Sequence, residues 1–209
     1  MTPVVTLLTL AFLTGDSTSQ ALRRRVWDGL NALERAEQHF TTRRAAKRDT
    51  TAAHLLSEVR PALDTMVFRT SWGGAELQQL RLAFPGSPLL DGYAARLAER
   101  DGETAGALVL VDRLLARDAA DAELQRARGR LLERAGRPRD ALDAYARALD
   151  LAPEDDSAFR SLQRLAEGQG AGALDALLDQ IRRLRIRLPE SRVLADHEIE
   201  VTERLGAAK

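Results

Sequence analysis

A seven-residue phrase occurs three times in the second half of the chain at a constant spacing. It reads RLAERDG from Arg96, RLLERAG from Arg130 and RLAEGQG from Arg164, and consecutive copies start 34 residues apart. When the first two copies are extended in the same register, nine of 24 positions are identical. A constant period of this length indicates units that stack side by side, so it restricts the fold to a repeat array.

Each unit has the pattern of two helices joined by a glycine turn. In the second copy, apolar residues recur at helical spacing from Leu124 to Ala135, Gly136 follows, and a second apolar stripe runs through Leu142, Tyr145 and Leu149. The composition agrees, because only 4% of the residues are aromatic and the apolar content is mostly Ala and Leu. We expect an all-α protein.

These units resemble the tetratricopeptide repeat, a family of 34-residue helix-turn-helix motifs. In the best copy, about Asp121 to Glu154, the family's small, aromatic and proline positions are occupied by Gly129, Ala141, Tyr145, Ala148 and Pro153. The resemblance implies an α-solenoid of three repeats over residues 87–189. It also implies covering helices at both ends, in residues 17–86 and 190–209, with residues 1–16 as a separate apolar segment.

The resemblance also implies that the first helix of each repeat lines a concave groove. In that arrangement, the groove residues form two arginine columns with glutamates beside the first: Arg96, Arg130 and Arg164, with Glu99 and Glu133, and then Arg126 with Arg160. Guanidinium groups in a column are suited to the carboxylates of an acidic partner. The alternative is that each arginine pairs with the glutamate three residues ahead in its own helix.

Residues Pro3 to Leu13 are uncharged, and as a helix they would reach roughly 18 Å, short of the hydrocarbon core of about 30 Å. Three interpretations remain open: an anchor or plug that docks on lipid or on a neighbouring subunit, packing on the chain's own core, or a signal peptide. The docking interpretation assigns the contact to the segment's large apolar residues: Val4, Val5, Leu7, Leu8, Leu10, Phe12 and Leu13.

An amphipathic helix of about six turns follows from Ser17, and its polar side is basic. Arg23, Arg24 and Arg25 are predicted either to attract anionic lipid or an acidic partner, or to form an ordinary solvated face. A further helical pattern covers residues 51–67, in which we expect Pro61 to cause a kink or begin a new helix.

Several classes of function are disfavoured by the sequence. The formal net charge is +0, which argues against nucleic acid, and without cysteine there are no thiolate ligands or thiol nucleophiles. The three histidines, His39, His54 and His197, lack metal-ligand spacing, and no nucleophile motif occurs. We expect no catalytic residues, no metal, no cofactor and no small-molecule substrate.

The function we expect is that of a noncatalytic adaptor, an accessory or assembly subunit of a membrane-associated complex whose partners are other protein subunits. Lysine occurs only at Lys47 and Lys209 among 31 basic residues, a bias that GC-rich coding produces, so we expect a bacterial source. The localisation would be peripheral to a membrane, on a side that the sequence leaves open. The alternative is a soluble, cytoplasmic regulatory or chaperone-like module that holds an acidic peptide in its groove.

Overall fold

A computed structural model describes residues 17–40 and 48–207, and every regular element in these ranges is an α-helix. The helices are α1 Ser17–Phe40, α2 Arg48–Arg69, α3 Gly73–Ala83, α4 Pro88–Arg100, α5 Thr104–Leu115, α6 Ala122–Arg134, α7 Pro138–Leu151, α8 Asp156–Gln169, α9 Ala171–Arg187 and α10 Arg192–Ala207. The expected all-α repeat architecture is confirmed, with helix pairs inside residues 87–189 and the predicted C-terminal helix after them.

Local sequence signals set where these helices begin and end. The turns after α4, α6 and α8 contain Gly102, Gly136 and Gly170, whose positive φ angles of 82°, 71° and 96° are readily adopted only by glycine. Asp121 caps α6 by accepting a hydrogen bond from the Leu124 amide at 2.9 Å, and Asp155 caps α8 in the same way through the Ser157 amide. The glycine turns of the repeated phrase therefore separate the paired helices.

The chain divides into two compact units, with the boundary between Leu97 and Ala98. Helix α4 crosses this boundary, so that most of it belongs to the first unit and its last turn, with Glu99, belongs to the second. The boundary lies inside the first predicted repeat, ten residues after its predicted start at residue 87.

In the first unit, α1 packs on α2, and α2 packs on α3. Its core consists of aliphatic side chains from all four helices that are almost completely buried: Val26, Leu30, Val59, Leu63, Met66, Leu77, Leu80 and Leu90. These side chains recur at three- and four-residue intervals along each helix, which is why one face of each helix is removed from water.

Helix α2 runs through Pro61 without ending, so the prediction that a new helix begins there is wrong. Proline lacks one backbone N–H and removes one hydrogen bond from the helix. The face that packs continues on both sides of Pro61, with Val59, Leu63 and Met66 almost fully buried. Packing of this face outweighs the lost hydrogen bond, and the Thr65 hydroxyl donates to the Pro61 carbonyl at 2.9 Å.

The second unit is a stack of consecutive helices from α5 to α10. Each helix packs on the next, and contacts also join α7 to α9 and α8 to α10. One continuous core runs through the stack and includes Leu132, Tyr145, Phe159, Leu177, Ile181, Leu194 and Val201. Contacts between alternate helices are what a repeat array produces, because each pair buries its apolar stripe against its neighbours.

Candidate interaction surface on the first helices

Ion pairs join alternate helices of the second unit, from the last turn of α4 through α6 and α8 to the terminal helix α10. Arg130 on α6 contacts Glu99, in the last turn of α4, at 3.2 Å, and Arg164 on α8 contacts Glu133 on α6 at 2.9 Å. Arg204 on α10 contacts Glu167 on α8 at 3.4 Å. We call these three pairs the arginine ladder.

The ladder explains why arginine and glutamate recur in the seven-residue motif at the end of each repeat's first helix. Every copy begins with arginine and carries glutamate three residues later, and Arg130 and Arg164 each pair with the glutamate 31 residues before them. That glutamate belongs to the previous copy, because the period of 34 residues exceeds the spacing of the pair by three. The same-helix pairing of Arg130 with Glu133 and of Arg164 with Glu167 is not what the structure shows.

The arginines of the ladder are more exposed than the glutamates that they contact. The Arg164 side chain is 63% exposed and that of Glu133 is 21% exposed, and the same order holds for the other two pairs. Arg164 contacts both Glu133 oxygens through Nη2, which leaves Nε and Nη1 outside the ladder. A guanidinium has five N–H donors, so these arginines can still bind a further carboxylate.

Glu133 is held from a second side by the buried Tyr145. Burial raises the pKa of the Tyr145 hydroxyl above its ordinary value, and the hydrogen bond to Glu133 raises it further. Tyr145 therefore remains a neutral hydroxyl that donates to the carboxylate at physiological pH. With Tyr145 on one side and Arg164 on the other, Glu133 is held in place as a counter-charge to Arg164.

The second predicted column behaves differently at its two positions. Arg126 turns toward the next first helix, where it contacts the Ser157 hydroxyl and lies 3.9 Å from Asp155. Burial acts to raise the pKa of Asp155, but hydrogen bonds from Ser157 and the charge of Arg126 outweigh it, and the pKa lies below its ordinary value. Arg160 is exposed and pairs with Asp156 in its own helix. Arg126 therefore joins neighbouring repeats, whereas Arg160 faces solvent.

Arg96, the remaining member of the predicted groove, lies in the first unit. Its guanidinium is 3.4 Å from Asp64 on α2 and stacks 4.7 Å above the Phe68 ring. Asp64 also lies close to Tyr93, whose pKa is raised to about 12 by burial first and by the Asp64 carboxylate second. The first unit thus repeats the combination of arginine, carboxylate and buried tyrosine found around Glu133.

The predicted docking residues Val4, Val5, Leu7, Leu8, Leu10, Phe12 and Leu13 lie outside the residues that the structure describes. Of the predicted basic residues on α1, Arg24 and Arg25 are exposed. Arg23 is buried, contacts Glu76 on α3 at 2.6 Å and stacks on Trp72. Its assignment to a lipid-facing surface is corrected for that reason. Arg23 precedes Val26 by three residues and Leu30 by seven, and this spacing could have placed it on the buried stripe.

Two residues that the sequence did not single out contact glutamates of the ladder. Arg134 donates to the backbone carbonyl of Glu99 at 3.1 Å, at the end of α4 where carbonyls lack a helical partner. Arg134 lies four residues after Arg130 and therefore on the same face of α6, and this spacing could have indicated it. Arg204 lies 37 residues after Glu167, outside the 34-residue period, so the repeat gave no signal for it.

The described residues hold no group of three or more His, Asp or Glu side chains placed to bind a metal ion. His54 is exposed on α2 beside Glu58. His197 is buried on α10, where its ring stacks on Phe159 at 3.6 Å. None of the helices in the described ranges is both long enough and apolar enough to cross a membrane.

The arrangement defines an all-α repeat protein whose helix pairs share one core and whose first helices carry an inter-repeat ladder of charge. Residues 122–167 match the family model described as "Tetratricopeptide repeat", which covers α6, α7 and most of α8. This part of the chain is similar to the tetratricopeptide repeat, whose stacked units form extended binding surfaces.

Comparison with whole proteins gives remote likenesses. No curated protein sequence matches this chain. Among solved structures, it is similar to "MamA 41-end from Desulfovibrio magneticus RS-1", with 15% identity, a TM-score of 0.48, and 100% of this chain and 98% of that chain covered. A structure described as "Crystal structure of MamA protein" is 12% identical, with a TM-score of 0.49 and coverage of 86% and 94%. No functional conclusion follows from likenesses at this level.

Proposed function

We propose that this chain is a noncatalytic adaptor that holds an acidic segment of another protein against the arginine ladder. The observation that carries the proposal is the difference in exposure between the two sides of each pair. The carboxylates are shielded, whereas guanidinium groups of Arg130 and Arg164 face solvent with unused donors. A partner carboxylate can therefore join the ladder without displacing the internal one.

The energetics favour such an addition. Ion pairs between exposed side chains contribute only about 0–1 kcal/mol to stability, so the ladder alone does little to hold the stack together. A partner with several carboxylates would meet a row of guanidinium groups at successive repeats and form charge-assisted hydrogen bonds with them. The ladder arginines would therefore contribute more free energy to partner binding than to the stability of the fold.

Within this adaptor class, the finer proposal is an accessory or assembly subunit of a bacterial membrane-associated complex. It is supported by the uncharged sequence from Pro3 to Leu13, which in water would expose an apolar surface that soluble proteins usually avoid. The second candidate is a soluble regulatory or chaperone-like module with the same acidic partner. A purified chain that stays monomeric without detergent, with its N-terminus protected from protease, would favour the second candidate.

The partner can be identified by affinity purification in mild detergent followed by mass spectrometry. The double variant Arg130→Ala with Arg164→Ala should then weaken the complex at least about tenfold, since a hydrogen bond to a charged group contributes about 1.5–3 kcal/mol. Helix content and melting temperature should stay close to wild type, and wild-type binding should weaken as salt is added.

A matched control is available on α7, where Arg139 and Arg147 are exposed and form no ion pair within the described part of the chain. Arg139→Ala with Arg147→Ala removes the same charge from a second helix and should leave the affinity unchanged. Equal loss of affinity in both double variants would show that the effect comes from the lower net positive charge and not from the ladder. Unchanged affinity in the Arg130 and Arg164 variant would contradict the proposed site.

A further inference from the structure

A second basic surface lies where α9 ends and α10 begins. Between residues 182 and 192 the chain contains five arginines and a single acidic residue, Glu190. Ile186 is 81% exposed in the middle of this segment, and Leu188 two residues later is also exposed. We call Arg183, Ile186, Arg187, Leu188 and Arg192 the α9–α10 patch. It combines exposed arginines with exposed apolar side chains.

The five arginines fall into two groups with different partners. Arg182 and Arg185 both contact Glu198 on α10, the first of them at 3.0 Å. Hydrogen bonds from these two arginines hold the pKa of Glu198 below its ordinary value. Arg183, Arg187 and Arg192 are exposed and contact no carboxylate in the described ranges. The charge of the α9–α10 patch is therefore uncompensated.

Helix stability does not account for this set of residues. Cations in the last turn of a helix interact favourably with the helix dipole, which covers Arg187 and the neighbouring Arg185. Arg192, however, is the first residue of α10, where the same dipole disfavours a cation. Ile186 adds little to the stability of the fold, because an isoleucine that stays exposed to water buries little apolar surface.

We propose that the α9–α10 patch binds the surface of an anionic membrane, with Arg183, Arg187 and Arg192 on lipid phosphate and carboxylate groups and Ile186 inserted at the interface. Ile186 is 81% exposed, so most of its side chain is free to insert into a lipid surface. A shallow pocket of about 350 Å³ lies beside it, lined by Arg182, Arg185, Ile186, Pro189 and Glu198. Its arginines are already bridged by Glu198, so it is not the anion site.

The choice of a lipid surface rests on the proposed membrane association, whereas the adaptor role does not depend on it. Residues on α9 and α10 would supply a contact separate from Pro3–Leu13. Stable peripheral binding generally needs two such signals, because one short apolar insertion or one basic cluster alone binds reversibly and weakly. If Pro3–Leu13 supplies one signal, the α9–α10 patch would supply the second.

The test uses the purified full chain in a co-sedimentation assay. The vesicles are made of phosphatidylcholine alone or of an equimolar mixture with phosphatidylserine. Wild type should bind the mixed vesicles more tightly than the neutral ones, and added salt should weaken that binding. Arg183→Gln with Arg187→Gln should reduce the affinity for mixed vesicles at least about tenfold, from the contribution of each cation near an anionic surface. Ile186→Ser should weaken binding to both kinds of vesicle.

Arg139→Gln with Arg147→Gln on α7 is the matched control and should bind like wild type. Equal losses in the two double variants, or a wild type that does not distinguish the vesicles, would overturn the proposal. A wild type that does not bind the mixed vesicles, but binds a poly-glutamate peptide more tightly than the Arg183→Gln, Arg187→Gln variant does, would overturn the lipid assignment in favour of an acidic protein. Failure here leaves the co-purification test of the adaptor untouched, so the two proposals can fail separately.

Discussion

Gly129 lies where the first helix of the best repeat touches the second. A Cβ atom placed on Gly129 would meet the Tyr145 ring at 2.6, 2.7 and 2.8 Å, closer than carbon atoms approach in proteins. Tyr145 is completely buried, so its ring has no free space into which to move. The small residue at this position is required by the close approach of α6 and α7.

We therefore expect Gly129→Ala to destabilise the chain by about 1–3 kcal/mol, the usual cost of overpacking a core. The substitution would normally stabilise a helix by up to about 1 kcal/mol, so the sign of the effect is diagnostic. Gly92→Ala is the control, because it lies within α4 with nothing within 4 Å of the added methyl group. Denaturant unfolding should show opposite shifts, and stabilisation by Gly129→Ala would refute the packing described.

At the scale of elements, the terminal helix α10 is fixed to α8 by a buried histidine. The His197 ring stacks on Phe159, its Nε2 atom lies 3.5 Å from Asp156, and its Nδ1 atom has no hydrogen-bond partner. Burial lowers the pKa of His197 from its ordinary value of 6.5, against the opposing pull of Asp156 and Glu200 and with a small contribution from Arg160. The docked helix therefore favours the neutral ring.

This environment predicts a loss of stability on mild acidification. Because the unfolded chain protonates His197 more readily than the folded chain, the free energy of unfolding should fall as the pH drops from neutral through about 6.5. His197→Phe keeps the ring stack and should remove most of this dependence down to about pH 5.5. Parallel pH profiles of melting temperature for wild type and variant would show that another group is responsible.

The arginine ladder shows what element-level patterns can and cannot predict. The 34-residue period places Arg130 and Arg164, and likewise Glu99 and Glu133, in equivalent positions, because identical residues in register occupy equivalent places in a stack. The period does not state which repeat supplies the partner. A pair three residues apart on one helix and a pair 31 residues apart on neighbouring helices produce the same pattern. Only the three-dimensional structure, in which Arg164 on α8 reaches Glu133 on α6, decides between them.

Burial produced the other corrections at this scale. Arginine is usually a surface residue, but the position of Arg23 on α1 puts it on the same buried face as Val26. There its guanidinium pairs with Glu76 and stacks on Trp72. Pro61 is a helix breaker by propensity, yet α2 continues because its apolar face is packed on both sides of it. In both cases tertiary contacts outweigh a local preference that is worth a few kcal/mol at most.

For the whole molecule, the apolar pattern from Pro3 to Leu13 is the feature that separates the two candidate functions. Within the described residues each unit has its own core of buried apolar side chains, and in the first unit those side chains run from Val26 to Ala95. Removal of residues 2–14 should therefore leave the melting temperature nearly unchanged. Because the α9–α10 patch alone would bind weakly, the same deletion should abolish recovery in the membrane fraction or in the complex.

This deletion is best compared in cells with the full chain and with Arg183→Gln, Arg187→Gln in the full chain. If residues 2–14 and the α9–α10 patch are two signals for one membrane, the deletion should release the chain completely and the double variant should release it partly. A truncated chain that melts much lower would assign Pro3–Leu13 to the core of the fold. A truncated chain that still co-sediments with its complex would assign association to the arginine ladder alone, and the soluble regulatory module would then be the better description.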